Sequence, residues 1–169
     1  NGRLFVTYEM PEGTSTTRSI DMLKTIQTRL LQIPAVDVVG GLAGFNFVSF
    51  SNKSNVGTMF VALKPWDQRK DPKDQLYGVI AQIQQKMADI KGARVLPIAP
   101  PAVNGLGATG GFTFELLQTT STDNIQQFEQ VARNFIAEVN KRPEIAMAYT
   151  FFNARTPSYK VDVDREKAK

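Results

Sequence analysis

Two groups of side chains in this sequence are placed to do chemistry, and they are of different kinds. Asp162 and Asp164 stand two apart, so on a strand both carboxylates share a face. Such a pair can bind a cation or share a proton. No third ligand stands near them in the sequence, and a solvated strand end is the simpler account. Glu115 is alone in its stretch and reads as an ion-paired or edge carboxylate. Serine and threonine are plentiful, but the chain has no His and no Cys. A Ser-His base, a thiolate nucleophile and the usual zinc ligands are therefore excluded. A lysine base would need strong burial, and no lysine is singled out. The second group is apolar: Phe45, Phe47 and Phe50 place three aromatics in six residues, inside a stretch from 40 to 57 bracketed by glycines. Phe45 and Phe47 are at strand spacing and point to one face if the strand runs through them. Two readings stay open. Either a hairpin sends both rings into the core, or glycine keeps an apolar tongue mobile and the tongue touches a greasy ligand.

The elements around these residues follow from periodicity. Arg3–Glu9 alternates and is rich in β-formers, with Phe5, Thr7 and Glu9 on one side and Leu4, Val6 and Tyr8 on the other. Thr14, Ser15 and Thr16 offer caps for a helix whose apolar face is Ile20, Leu23, Ile26 and Leu30, ending near Gln32 before Pro34. A second strand is expected over 36–44, leading into the phenylalanine loop. Ser51 to Ser54 read as solvated loop, and a third strand follows over 58–63, with Trp66 packing at its end. Residues 70–74 open a second helix with a stripe of Leu76, Val79, Ile80, Ile83, Met87 and Ile90, capped at Gly92. A short fourth strand, 93–98, carries Pro97 and so belongs at a sheet edge. Residues 3–98 thus read β-α-β-β-α-β, the ferredoxin-like split unit.

Residues 104–111 hold four glycines and read as a linker. They are not a phosphate loop: no Gly-Lys-Ser/Thr follows, and a strand comes next. The second half repeats the topology: a strand at 112–118, then a helix capped within 121–124. That helix carries Ile125, Phe128, Val131, Ala132, Phe135, Ile136 and Val139. Strands at 145–152 and 159–163 come after it, and a helix begins at 164–168. The fold class is α+β, with two ferredoxin-like subdomains, 1–103 (βαββαβ) and 104–169 (truncated to βαββ). The expectation is a piece of something longer, whose second sheet exposes an apolar face that a partner covers.

Composition narrows the function. The net charge is only +4, and no run of Lys or Arg exceeds two, which argues against a nucleic-acid surface. The expected third strand also lacks the basic aromatic motif of an RNA-binding βαββαβ domain. No apolar run approaches the length of a membrane span.

Several stretches together carry a resemblance. They are Phe5-Val6-Thr7-Tyr8-Glu9-Met10-Pro11-Glu12-Gly13, Phe45-Asn46-Phe47, Phe60-Val61-Ala62-Leu63-Lys64-Pro65-Trp66, Gly111-Phe112-Thr113-Phe114-Glu115-Leu116, and Thr156-Pro157-Ser158-Tyr159-Lys160-Val161-Asp162-Val163-Asp164-Arg165-Glu166-Lys167-Ala168. In this order and spacing the chain resembles the periplasmic porter region of resistance–nodulation–division (RND) multidrug efflux pumps. The resemblance implies part of a trimeric, proton-driven inner-membrane pump of Gram-negative bacteria. Such a pump expels amphiphilic drugs with a periplasmic adaptor and an outer-membrane channel, and this part has no catalysis and no cofactor of its own. It implies that Phe45 and Phe47 belong to a switch loop, with Phe50 in the same loop. It also implies an entrance cleft lined by Phe5, Thr7, Glu9, Leu96, Ile98 and Pro100, and it raises the tongue reading above the core reading. Leu96 and Ile98 stand where several members carry phenylalanine. Two other functions remain in play: a structural module that packs subunits and meets an adaptor, and a stand-alone ligand-sensing domain.

Overall fold

The structure, a computed structural model, describes residues 2–101, 111–119, 124–145 and 147–154. The Asp162/Asp164 pair, the strand expected at 159–163, the helix start at 164–168 and most of the glycine linker lie outside the described residues. The chain divides into two compact units, Asn1–Thr113 and Phe114–Lys169.

The first unit is α+β. Its strands are β1 (Arg3–Glu9), β2 (Val36–Asn46), β3 (Ser51–Leu63) and β4 (Arg94–Ile98). Its helices are α1 (Thr16–Leu31) and α2 (Leu76–Met87). The sheet order is β2-β3-β1-β4 and every pairing is antiparallel. That is the ferredoxin-like arrangement: the two strands joined by each helix are separated in the sheet by one strand, while β2 and β3 form a hairpin. Pro97 sits on the edge strand β4, the place in a sheet where a residue without an N–H is tolerated.

Both helices pack on one face. Leu4, Val6 and Tyr8 of β1, Met59 and Val61 of β3 and Val39 of β2 are buried there against Ile26, Leu30, Val79, Ile83 and Met87. The α1 stripe differs from expectation at one position: Ile20 is exposed and Ser19 is buried instead. The buried Tyr8 hydroxyl needs a partner; it donates to the Ser19 carbonyl at 2.8 Å and lies 2.9 Å from Ser19 Oγ. Burial pushes the Tyr8 phenol up from its ordinary value, against the opposing effect of the Ser19 hydrogen bond. Ser15 caps α1, its Oγ accepting from Arg18 N–H at 3.4 Å. Residues 72–74, expected to open α2, form a separate 3-10 turn, and α2 begins at Leu76. Arg69 holds this connection from inside: its buried guanidinium donates from Nε to the Lys64 carbonyl (2.6 Å) and from Nη1 to the Asp74 carbonyl (3.1 Å). Trp66 does not pack at the strand end. It is 66 % exposed, with the Arg69 guanidinium 5.4 Å from its ring centroid.

The largest departure from expectation is the hairpin. The stretch from Ser51 to Gly57 is strand, not solvated loop, and only four residues, 47–50, separate β2 from β3. Its polar side chains are bonded instead of solvated. Asn55 is buried and Nδ2 donates to the Met10 carbonyl at 2.7 Å, Ser54 Oγ donates to the Thr14 carbonyl at 2.8 Å, and Lys53 pairs with Glu12 at 3.1 Å. Nor does Gly57 serve mobility. A Cβ there would overlap the Tyr8 ring, so glycine is what lets β3 pass over that side chain.

The second unit contains α3 (Ile125–Val139), capped by Asn124, whose Oδ1 accepts from Gln127 N–H at 3.0 Å. Phe128 meets Phe152 edge-on at 5.4 Å, and Phe114 meets Phe135 at 5.8 Å. The buried Glu129 accepts from Arg133 Nε at 2.9 Å and from the Ala154 N–H at 3.3 Å. The α3 stripe is more open than expected: of the helix, Glu129 and Ala132 are buried, while Ile125, Val131 and Phe135 are exposed. Among the described residues no strand is assigned at 112–118 or 145–152. A ladder is a property of two strands, and the third expected strand lies outside the described residues.

Candidate functional site

Neither helix of the first unit packs on the other face of its sheet. Antiparallel register places its side chains in rows. Gly40, Phe60, Phe5 and Ile98 form one row, and Leu42, Thr58, Thr7 and Leu96 the next. Val56, Glu9 and Arg94 form a third. Phe5 and Phe60 meet edge-on at 5.6 Å, and Phe60 stays 36 % exposed. Beside Phe60, a Cβ built at Gly40 meets no atom within 4 Å, so the surface there is open.

The tip of the β2–β3 hairpin folds back over this face as a flap. At the base of the tip the β2–β3 register shifts between Ala43 and Phe45, where Gly44 takes φ +87°. Only glycine adopts that left-handed backbone readily. At the turn, Val48 and Ser49 N–H groups donate to the buried Asn46 Oδ1 at 2.9 and 3.2 Å, and Phe50 is left-handed at φ +50°. The local pairings Phe45–Asn52 and Asn46–Ser51 close the tip.

The flap carries its rings to the sheet. Phe47 lies 4.9 Å from Phe5 and 5.7 Å from Phe60, and Phe50 lies 5.5 Å from Phe47 and 6.5 Å from Phe45. Tilted and edge-on pairs at these distances suit the ring quadrupole. The Phe47 N–H donates to Thr58 Oγ1 at 2.9 Å, and that hydroxyl donates to the Phe45 carbonyl at 3.0 Å. Phe45 and Phe47 are half-buried and Phe50 is 65 % exposed; none joins the core under the helices.

The structure therefore brings Phe5, Phe45, Phe47 and Phe50 together. Thr7, Glu9, Leu96 and Ile98 share their face, with Thr7 and Ile98 buried. Pro100 lies beyond the end of β4 and is half-buried. Sequence reasoning missed Phe60, Thr58 and Gly40. The signal was present in the alternation of β3: Met59 and Val61 are core, so Phe60 must face the other way. This face offers aromatic and apolar contact from Phe5, Phe47, Phe60, Leu42 and Leu96, with Thr7, Thr58, Glu9 and Arg94 as its polar side chains. Among the described residues no group of three or more acidic side chains could hold a metal ion. No helix among them is long and apolar enough to cross a membrane.

The sequence profile of the AcrB/AcrD/AcrF family matches residues 1–169. One curated relative is the toluene efflux pump membrane transporter TtgB of Pseudomonas putida, 29% identical over 99% of this chain and 16% of the relative. Another is the multidrug/solvent efflux pump membrane transporter MepB of the same species, 28% identical with the same coverage. The multidrug export protein AcrF of Escherichia coli is 28% identical over 95% of this chain and 16% of its own length. The chain thus spans about one-sixth of the length of these relatives.

Proposed function

The chain belongs to the AcrB/AcrD/AcrF family, and we propose that it is the drug-handling part of a proton-driven efflux transporter, with the outer face of the first sheet and its phenylalanine flap as the contact surface. In this reading residues 1–103 and 104–169 are two porter subdomains on the periplasmic side of the inner membrane. The complete protein is a homotrimer that works with a periplasmic adaptor and an outer-membrane channel. Proton flow and the membrane-spanning machinery belong to the rest of that protein. The cargo is amphiphilic or aromatic, held by ring contacts and few hydrogen bonds, which gives broad and weak specificity. The entrance cleft takes Phe5, Thr7, Glu9, Leu96, Ile98 and Pro100, the switch loop takes Phe45, Phe47 and Phe50, and Phe60 joins them.

One observation carries this reading: Phe5, Phe47 and Phe60 cluster on the sheet face opposite α1 and α2. An aromatic cluster needed only for stability would gain more beneath the helices. The test is Phe47→Ala in the complete transporter, produced in a pump-deficient strain, with toluene, ethidium and chloramphenicol as probes. The expected result is a changed order of resistance to the three, with normal protein level and adaptor pull-down. Unchanged resistance to all three sinks the reading. The exposure of Phe114, Leu116 and Leu117 in the second unit favours a different role, subunit packing and adaptor contact. That role predicts a lost pull-down with the order of resistance preserved for Leu117→Ser, and no change in either for Phe47→Ala.

A further inference from the structure

We propose that Thr58 is the positioning residue of the flap: its single hydroxyl holds the Phe45–Phe47 backbone on the outer face and thereby selects which amphiphiles reach Phe5 and Phe60. This inference rests on the reading of that face as the drug-handling surface.

The argument starts from what ties the flap down. The pairings Phe45–Asn52 and Asn46–Ser51 and the bonds to Asn46 Oδ1 lie within the tip and travel with it. Ser49 Oγ and Ser51 Oγ, 2.8 Å apart, do the same. Among the described residues, the side-chain hydrogen bonds that link 45–50 to the body of the sheet are the two made by Thr58. The remaining ties are the ring contacts of Phe47 with Phe5 and Phe60.

Thr58 is suited to this by position and by chemistry. It stands in the middle of β3, between Thr7 and Leu42 in the same row, and is fully buried. One hydroxyl can donate once and accept, and here it does both, to a carbonyl and from an N–H two residues apart. Next to the register shift a side chain serves these two backbone groups. Opening the flap therefore breaks two hydrogen bonds and frees the Phe47 ring, with no strand to unzip. A flat apolar ligand takes the place of Phe47 against Phe5 and Phe60 only after that opening. The strength of the Thr58 hold thus governs entry, and ligands that bind weakly to the two remaining rings are the ones it excludes.

The test compares Thr58→Val, which keeps the shape and removes the hydroxyl, with Thr58→Ser, which keeps the hydroxyl. Hydrogen exchange at the Phe47 amide is read in the full chain, with the Val6 and Val61 amides as internal references. The expected result is Phe47 exchange about tenfold faster in Thr58→Val, within about threefold of the parent in Thr58→Ser, and unchanged references in both. Equal Phe47 exchange in Thr58→Val and the parent overturns the proposal. Should Thr58→Val not fold, the parent chain decides: a Phe47 amide exchanging at the rate of an unstructured peptide also overturns it. In the complete transporter, Thr58→Val is expected to change the order of resistance to toluene, ethidium and chloramphenicol, and Thr58→Ser to restore it. Faster exchange with an unchanged order overturns the selecting role. If Phe47→Ala also leaves the order unchanged, the drug-handling reading itself has failed.

Discussion

Tyr8 gathers several residue-scale decisions in one place. Its ring fills the core under α1, Gly57 gives up a side chain to let it pass, and Ser19 takes an inward position on the helix to receive its hydroxyl. The sequence displays Tyr8 on the correct face, but it cannot say that Gly57 and Ser19 belong to Tyr8. These are pairings between elements, and periodicity within one element carries no trace of them. Phe60 is a different case: alternation within β3 sets it opposite Met59 and Val61, and in an apolar run the structure decides which set is core. Tyr8 also sets a pH dependence. Its phenol is raised in the fold, so the native state holds the proton where the unfolded chain, titrating at about 10, has lost it. Stability from this group is full below about pH 10 and falls as pH rises through the higher folded value. We expect the alkaline decline of the melting temperature to be shallower in Tyr8→Phe than in the parent. At neutral pH the variant loses about 0.5–1.5 kcal/mol with the hydrogen bond. Parallel alkaline curves for the two proteins would contradict this.

At the scale of elements, the strands and helices of the first unit were legible where one face is apolar and the other polar. β1, α1 and α2 show that pattern, and Pro97 marked β4 as the edge strand. The hairpin was not legible. Ser51 to Asn55 have poor strand propensity and no alternation, so they read as loop. What makes them strand is tertiary: Lys53, Ser54 and Asn55 bond to Glu12, Thr14 and Met10. The flap is therefore a folded extension of two strands where a solvated loop was expected. Asn55 tests this. Its side chain is buried and serves the Met10 carbonyl, while the Met10 N–H donates to the Asn55 carbonyl at 2.8 Å. Asn55→Ala leaves the Met10 carbonyl without that donor and should cost about 1–3 kcal/mol in urea unfolding. A midpoint equal to the parent's would show that the 51–57 strand does not depend on this bond.

For the whole molecule, the α+β class and the ferredoxin-like order of the first unit follow from the alternation of strands with two helices of crossover length. The helices of the first unit cover one face of its sheet, and the other face carries Phe5, Phe60 and the flap. Family membership gives this arrangement its context, since the matched relatives include transporters named for toluene, solvent and multidrug efflux. The central claim is that ligand meets the face opposite α1 and α2. The most direct measurement places a photoreactive benzoylphenylalanine at position 60, or at the exposed position 77 on α2, in the complete transporter, and irradiates each with ethidium. The account predicts labelling by ethidium at position 60 that excess toluene or chloramphenicol reduces, and background labelling at position 77. Equal labelling at the two positions, or none at position 60, would contradict it.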